Sequence, residues 1–238
     1  MKIIVMTDVH ANLPALRAVL DAVNEDGYDV IIHTGDAIGI GPYPGECLDL
    51  LRNTPNVRFV MGNHDSYFAN GLPELRPPTM SDGEAQHHRW THAQLEPGLK
   101  AVVARWPYSL DIEEGGTKAT FLHYPLGVSG RDFLPVIRQP KPADLDDAFS
   151  SLDSPLVFYG HDHAPRDLQG RRRYINPGSL GCSRDTVARY CSVELSRQAF
   201  TVEHLAVTYD RTGLFRAFEE RGVPERHIIR RVFFGEDA

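Results

Sequence analysis

Lys2-Ile3-Ile4-Val5-Met6-Thr7-Asp8-Val9-His10 opens the chain, and its reading decides the fold class. Ile3, Ile4, Val5 and Met6 form an unbroken apolar run, the mark of a strand buried on both faces. The run ends on an acid and an imidazole two residues apart. Leu13, Leu16, Val19, Leu20 and Val23 then recur at helical spacing. Asn12 stands at the N-cap position and Pro14 falls in the first turn. A buried strand, a polar strand end and an amphipathic helix are the start of a βαβ unit.

The pattern repeats outward. Val30-Ile31-Ile32-His33 is a second strand, followed by Gly35-Asp36. Cys47, Leu48, Leu50 and Leu51 mark a second helix. Residues 57–61 form a third strand, followed by Gly62-Asn63-His64-Asp65. Residues 72–81 are rich in proline and read as a loop. Residues 84–106 are helical, with Trp90, Leu95, Leu99, Val102 and Val103 as the apolar set. A small helical cap inserted at 70–106 in a single domain over 1–238 is the expectation. Strands return at 119–122, followed by His123, and at 156–159, followed by Gly160-His161-Asp162-His163. The segments 173–175, 190–195 and 200–207 lie close together, which predicts antiparallel pairing among them. Residues 209–234 read as terminal helices broken at Gly222-Val223-Pro224. The class is α/β (α+β), two sheets face to face with helices outside.

Bulk properties narrow the function. A net charge of −7 over 238 residues argues against stable nucleic-acid binding, which favours a basic excess. Small phosphorylated substrates stay open, because bound cations supply positive charge locally. The 3 cysteines, Cys47, Cys182 and Cys191, form no CxxC pair, so neither a disulfide framework nor a zinc-thiolate site is expected. A reducing cytoplasm is the expected setting. The first apolar run is too short for a membrane span, and no membrane association is expected.

The polar clusters all sit just after strands, where α/β sheets bind ligands. Asp8 and His10 are two apart, as are His161 and His163, so on an extended backbone each pair would point to one side. Glycines 35, 62 and 160 precede the polar groups and allow close approach of backbone to a ligand. Imidazole with carboxylate suits manganese, iron or zinc. Two neighbouring cations repel, and Asp36, with one oxygen for each, is the natural bridge. Asn63 makes sense as a supplement to charged ligands.

The succession of DVH, GD, GNHD, a lone His and GHDH resembles the calcineurin-like metallophosphoesterase superfamily. Residues 7–16 and the segment Ile175-Asn176-Pro177-Gly178-Ser179-Leu180-Gly181 are similar to its YfcE-like and diadenosine-tetraphosphatase-like branches. The resemblance implies a four-layer αββα sandwich of two mixed sheets. It implies two divalent cations, one on Asp8, His10, Asp36 and His163, the other on Asp36, Asn63, His123 and His161. It further implies a catalytic His64 facing the substrate phosphate, with Asp65 orienting it. The expected activity is hydrolysis of phosphodiesters or phosphomonoesters of small molecules, nucleotides foremost, by a hydroxide shared between the cations. A diadenosine polyphosphate hydrolase is the near rival, and a non-catalytic scaffold for partner proteins the distant one. Protein serine/threonine phosphatases carry GDxVDRG and GNHE, which this chain lacks.

Other polar residues have plainer readings. Asn12 caps a helix, and His33 belongs to the core or supports the site. His87, His88 and His92 are expected on the exposed face of the cap, and Trp90 and Trp106 anchor it. Arg171-Arg172-Arg173 marks a hairpin turn. Arg184 could reach a phosphate, and Tyr43, Tyr67 and Tyr124 could bound a pocket.

Overall fold

The computed structural model describes residues 1–73, 80–197 and 199–236. Part of the expected cap and proline-rich loop, residues 74–79, lies outside them. The first half runs β1 (Lys2–Met6), α1 (Leu13–Asp26), β2 (Val30–His33), α2 (Pro44–Asn53), β3 (Val57–Phe59) and α3 (Asn63–Asn70). Two helices, α4 (Asp82–Ala93) and α5 (Leu99–Val103), occupy the cap region. The rest is β4 (Ser109–Glu114), β5 (Thr117–Leu122), α6 (Pro142–Ala148), β6 (Leu156–Phe158), β7 (Arg166–Gln169), β8 (Arg173–Asn176), β9 (Val187–Ser196), β10 (Ala199–Thr208), α7 (Thr212–Glu220) and α8 (Arg226–Phe234).

Two five-stranded sheets form, ordered β10-β9-β1-β2-β3 and β4-β5-β6-β8-β7. β1, β2 and β3 are parallel, and β9 and β10 add antiparallel strands at one edge. β5, β6 and β8 are parallel, flanked by antiparallel β4 and β7. Pairing among 173–175, 190–195 and 200–207 is therefore only half as expected. β9 and β10 pair, but β8 lies in the other sheet, because its apolar residues fill the space beside β6.

Strand alternation builds the layers. Ile3, Val5 and Ile32 meet Phe121, Phe158 and Ile175 between the sheets. Ile4, Met6 and Ile31 face the other way, onto Leu16, Val19 and Leu20 of α1 and Leu48 and Leu51 of α2. Leu122, Val157 and Tyr174 turn outward onto Leu145 and Phe149 around α6. That is helix, sheet, sheet, helix, as a sandwich of two-faced apolar sheets demands. Asn12 caps α1 as its sequence position suggests, accepting from the Ala15 amide at 3.2 Å. Its amide nitrogen also donates to the Gly181 carbonyl at 2.7 Å, which ties the start of α1 to the β8–β9 connection. The Arg171 run is a hairpin turn between β7 and β8, closed by Gly170 N–H on the Arg172 carbonyl. No helix among the described residues is long and apolar enough to cross a membrane.

Candidate metal centre

The polar clusters meet at the carboxyl ends of β1, β2, β3, β5 and β6. Their backbones do not stay extended, contrary to the simple two-apart reading. Asp8, His10, Asp36, His161 and His163 have φ of 54°, 46°, 60°, 67° and 59°. Non-glycine residues seldom adopt this left-handed region, and a surrounding frame must hold them in it. The frame is a set of loop-to-loop hydrogen bonds. Asp8 N–H donates to Gly35 O, His10 N–H to Asp36 O and Gly160 N–H to His123 O, at 2.9–3.0 Å. The β8–β9 connection closes the far side, with Leu180 N–H on Thr7 O and Ser179 Oγ on Asp8 O. Glycine is required where loops touch. A Cβ on Gly35 would lie 2.7 Å from His123 Nδ1, and one on Gly62 would collide with Asp36 Oδ1.

The seven candidate ligands converge as two groups. In the first, His10 Nε2 lies 2.9 Å from His163 Nε2 and 3.5 Å from Asp8 Oδ1, with His163 Nε2 3.4 Å from Asp8 Oδ1. In the second, His123 Nε2 lies 3.2 Å from His161 Nδ1 and 3.1 Å from Asn63 Oδ1. One atom serves both groups, because Asp36 Oδ2 is 3.8 Å from His10 Nε2 and 3.3 Å from His123 Nε2. Nitrogen and oxygen donors sit about 2.0–2.2 Å from a tetrahedral cation, which puts donors on one cation about 3.3–3.6 Å apart. The observed spacings, 2.9–3.8 Å, bracket that range. Asp36 presents a single oxygen to both groups, not one to each as its sequence position suggested. Its Oδ1 is occupied by the His64 amide at 2.9 Å.

The Asn63 amide meets Asp36 Oδ2, His123 Nε2 and His161 Nδ1 at 2.9–3.1 Å. Its oxygen on that side accepts from a protonated His123 Nε2 at 3.1 Å, and the same oxygen would serve a cation held with Asp36, His123 and His161. The donor set of imidazole, carboxylate and amide oxygen suits manganese, iron or zinc.

Electrostatics fit the same picture. Burial opposes the Asp36 charge, yet His123, His64 and His10 hold its carboxyl well below the usual range. Asp8 behaves likewise beside His163 and His10, and also accepts from Thr7 Oγ1 at 2.8 Å. Burial disfavours charge on His123, but Asp36 outweighs it and lifts the group to about 9. Burial and His123 push His161 down to about 4. A ligating imidazole must shed its extra proton, so cation binding should displace one from His123. Apparent cation affinity should therefore climb with pH and level off near 9. Calorimetry in buffers of different ionisation enthalpy reads that proton directly, and a pH-independent affinity above pH 6 would contradict it.

Asp65 makes no hydrogen bond to the His64 ring among the described residues. Its carboxylate accepts from the amides of Asp36, Ala37 and Gly62 at 2.7, 3.1 and 3.1 Å, pinning the loop after β2 to the start of α3. His64 instead packs by ring contact, 5.0 Å from His10 edge-on and 4.9 Å from His88. Its Nδ1 is buried without a partner among the described residues. Burial holds His64 well below the ordinary histidine range, with Asp36 opposing and His88 adding to the effect.

The remaining expectations sort cleanly. His33 is buried in the core and pushed to about 4 by burial. His87 and His88 are buried, not exposed, because the inner face of α4 packs toward His64 and the loop at Pro224. Trp106 stacks on Phe59 at 4.4 Å, an anchor as expected. Tyr67 lines a cleft beside the site, Tyr124 is buried with its ring 5.2 Å from His161 and 6.0 Å from Phe149, and Tyr43 lies under Arg221. Two further residues stand at the site. Cys182 brings its sulfur within 4.8 Å of ligand atoms of His10 and His163, and the Phe133 ring meets His123 edge-on at 5.3 Å. Neither has a local signal, since a long loop brings each to the site.

Residues 1–198 match the calcineurin-like phosphoesterase superfamily domain. The chain belongs to that superfamily. As a calcineurin-like phosphoesterase with buried His/Asp clusters able to hold a divalent metal, it is a metal-dependent hydrolase of phosphoesters. An uncharacterized protein of Methanocaldococcus jannaschii is 29% identical over 252 residues, with 98% of each chain covered. The crystal structure of a metallophosphoesterase from Sphaerobacter thermophilus superposes with a TM-score of 0.74 at 28% identity, covering 99% of each chain. A hypothetical protein from Pyrococcus horikoshii gives 0.78 at 19% identity over 100% of this chain and 99% of its own. That last likeness speaks to the calcineurin-like fold alone.

Proposed function

We propose that the protein hydrolyses phosphodiesters or phosphomonoesters of small molecules, nucleotides foremost, at a centre of two divalent cations. The observation that carries this is Asp36 Oδ2, one oxygen shared by two complete ligand groups. Asp8, His10, His163 and Asp36 would hold one cation, and Asp36, Asn63, His123 and His161 the other. Manganese, iron and zinc suit these donors. Two such cations supply an activated water and neutralise charge on the phosphoryl oxygens.

The chain's own residues do the rest. Asp65 fixes the two loops that present Asp36 and Asn63, so it is a positioning residue for the centre. His64 stands against His10 and meets the phosphoryl region from α3. Its Nδ1 is sealed against Gly39, which leaves Nε2 to meet the substrate. Burial keeps the ring neutral by itself; the negative charge of a bound phosphate would favour the imidazolium, whose Nε2 would then donate a proton to the departing oxygen. Tyr67, one turn further along α3, continues the wall on that side.

The test is turnover of bis(p-nitrophenyl) phosphate with added manganese, followed by a screen of mono-, di- and polyphosphorylated nucleotides. Manganese-dependent release of nitrophenol is expected. A metal-loaded protein inert to every phosphoester would overturn the reading and favour a partner-binding scaffold.

A further inference from the structure

We infer that the cleft between α3 and the loop after β5 is a subsite for a nucleoside leaving group, with Tyr67 and Phe133 as walls for its planar base. The inference rests on the phosphoesterase reading above. The cleft has a volume of about 660 Å³ and opens directly onto Asn63 and His161. That size lies within the range of pockets that enclose small organic ligands, roughly 300–1,000 Å³.

Position argues for the leaving side of the substrate. Tyr67 follows His64 by three residues on α3, with the two rings 6.5 Å apart. A group whose oxygen takes its proton from His64 therefore departs along Tyr67. Phe133 lines the same cleft, its ring 5.3 Å from His123 and 6.1 Å from His161. Its backbone is not loose. Leu126 and Phe133 form a β-bridge, Gly127 N–H donates to Asp132 O at 2.7 Å, and Leu134 N–H to Pro125 O at 2.9 Å.

Chemistry argues for the base. Aromatic side chains hold bases by stacking without demanding one identity. Arg131 adds a cation at the rim, and Asn70 and Ser66 offer hydrogen-bonding groups at the side. Another cleft touches the candidate ligand His163 and contains Phe233, but no residue of α3 lines it. It is therefore the wrong side for a group protonated by His64.

The experiment measures binding apart from turnover. Methylenephosphonate analogues of adenosine monophosphate and glycerol 3-phosphate, with carbon in place of the ester oxygen so that they resist hydrolysis, are titrated calorimetrically into the manganese-loaded protein. Both carry one phosphoryl group, and only the first carries a base. The expected result is about tenfold or more tighter binding of the nucleotide analogue, the scale of one stacked base. Phe133→Ala should abolish that preference and leave affinity for the glycerol analogue unchanged, while Phe133→Tyr should keep it. Tyr67→Ala serves as an independent second wall variant. Equal affinities in the wild type, or a Phe133→Ala loss shared by both ligands, would overturn the subsite. Selective nucleotide binding with no hydrolysis of any phosphoester would strike the proposed chemistry and leave the subsite standing.

Discussion

Asp36→Asn should strip the protein of both cations and of activity together. The substitution keeps shape and can keep the hydrogen bond from the His64 amide, so the loop has little reason to move. What changes is the atom at Oδ2. An amide nitrogen there would point its hydrogens where His10, His123 and Asn63 aim lone pairs at a common space. Losing a group that merely supports a metal ligand costs about 10- to 100-fold in affinity. Loss of the shared ligand should exceed that for each cation. Elemental analysis after dialysis reads the result, with circular dichroism as the check on folding. Full occupancy by two cations would reject the bridging assignment.

His64→Ala should do the opposite, sparing the cations and cutting turnover by roughly two to four orders of magnitude, the usual worth of a positioned acid. A ring nitrogen of His64 comes within 4.8 Å of donor atoms of His10 and Asp36, but the closer spacings within the two ligand groups are made without it. The backbone amide that holds Asp36 Oδ1 survives the substitution. The loss should fall on kcat, and should shrink for substrates whose leaving group needs no proton, such as nitrophenolate. An equal loss for good and poor leaving groups would remove the acid role and leave His64 a binding residue.

The site was more legible in the sequence than the edges of the fold. Each candidate ligand follows a buried apolar run, so the strands announce the positions of Asp8, Asp36, His123 and His161. The backbone there leaves no trace in the spacing, because residues two apart share one face only on an extended chain. Left-handed residues at 8, 10, 36, 161 and 163 reach the same point by a different path. The role of Asp65 was also hidden, since its partners are backbone amides 28 and 29 residues away. Edge elements left little pattern. β4 buries one residue, Ile112, α6 buries only Leu145, and β7 buries none fully. The separation of β8 from β9 was illegible for another reason. Both are apolar and close in sequence, and only the packing of β8 beside β6 decides that the chain crosses between sheets there.

The backbone bonds that hold the left-handed residues run between loops and involve no cation. With the backbone so fixed, the proposed donors would keep their arrangement while ions come and go. Exchange of one divalent ion for another then requires no refolding, only release and capture. A protein made in manganese-rich cells and one made in iron-rich cells would share one architecture and differ in cargo. The supply of the host, more than the shape of the chain, would set which metal is found there.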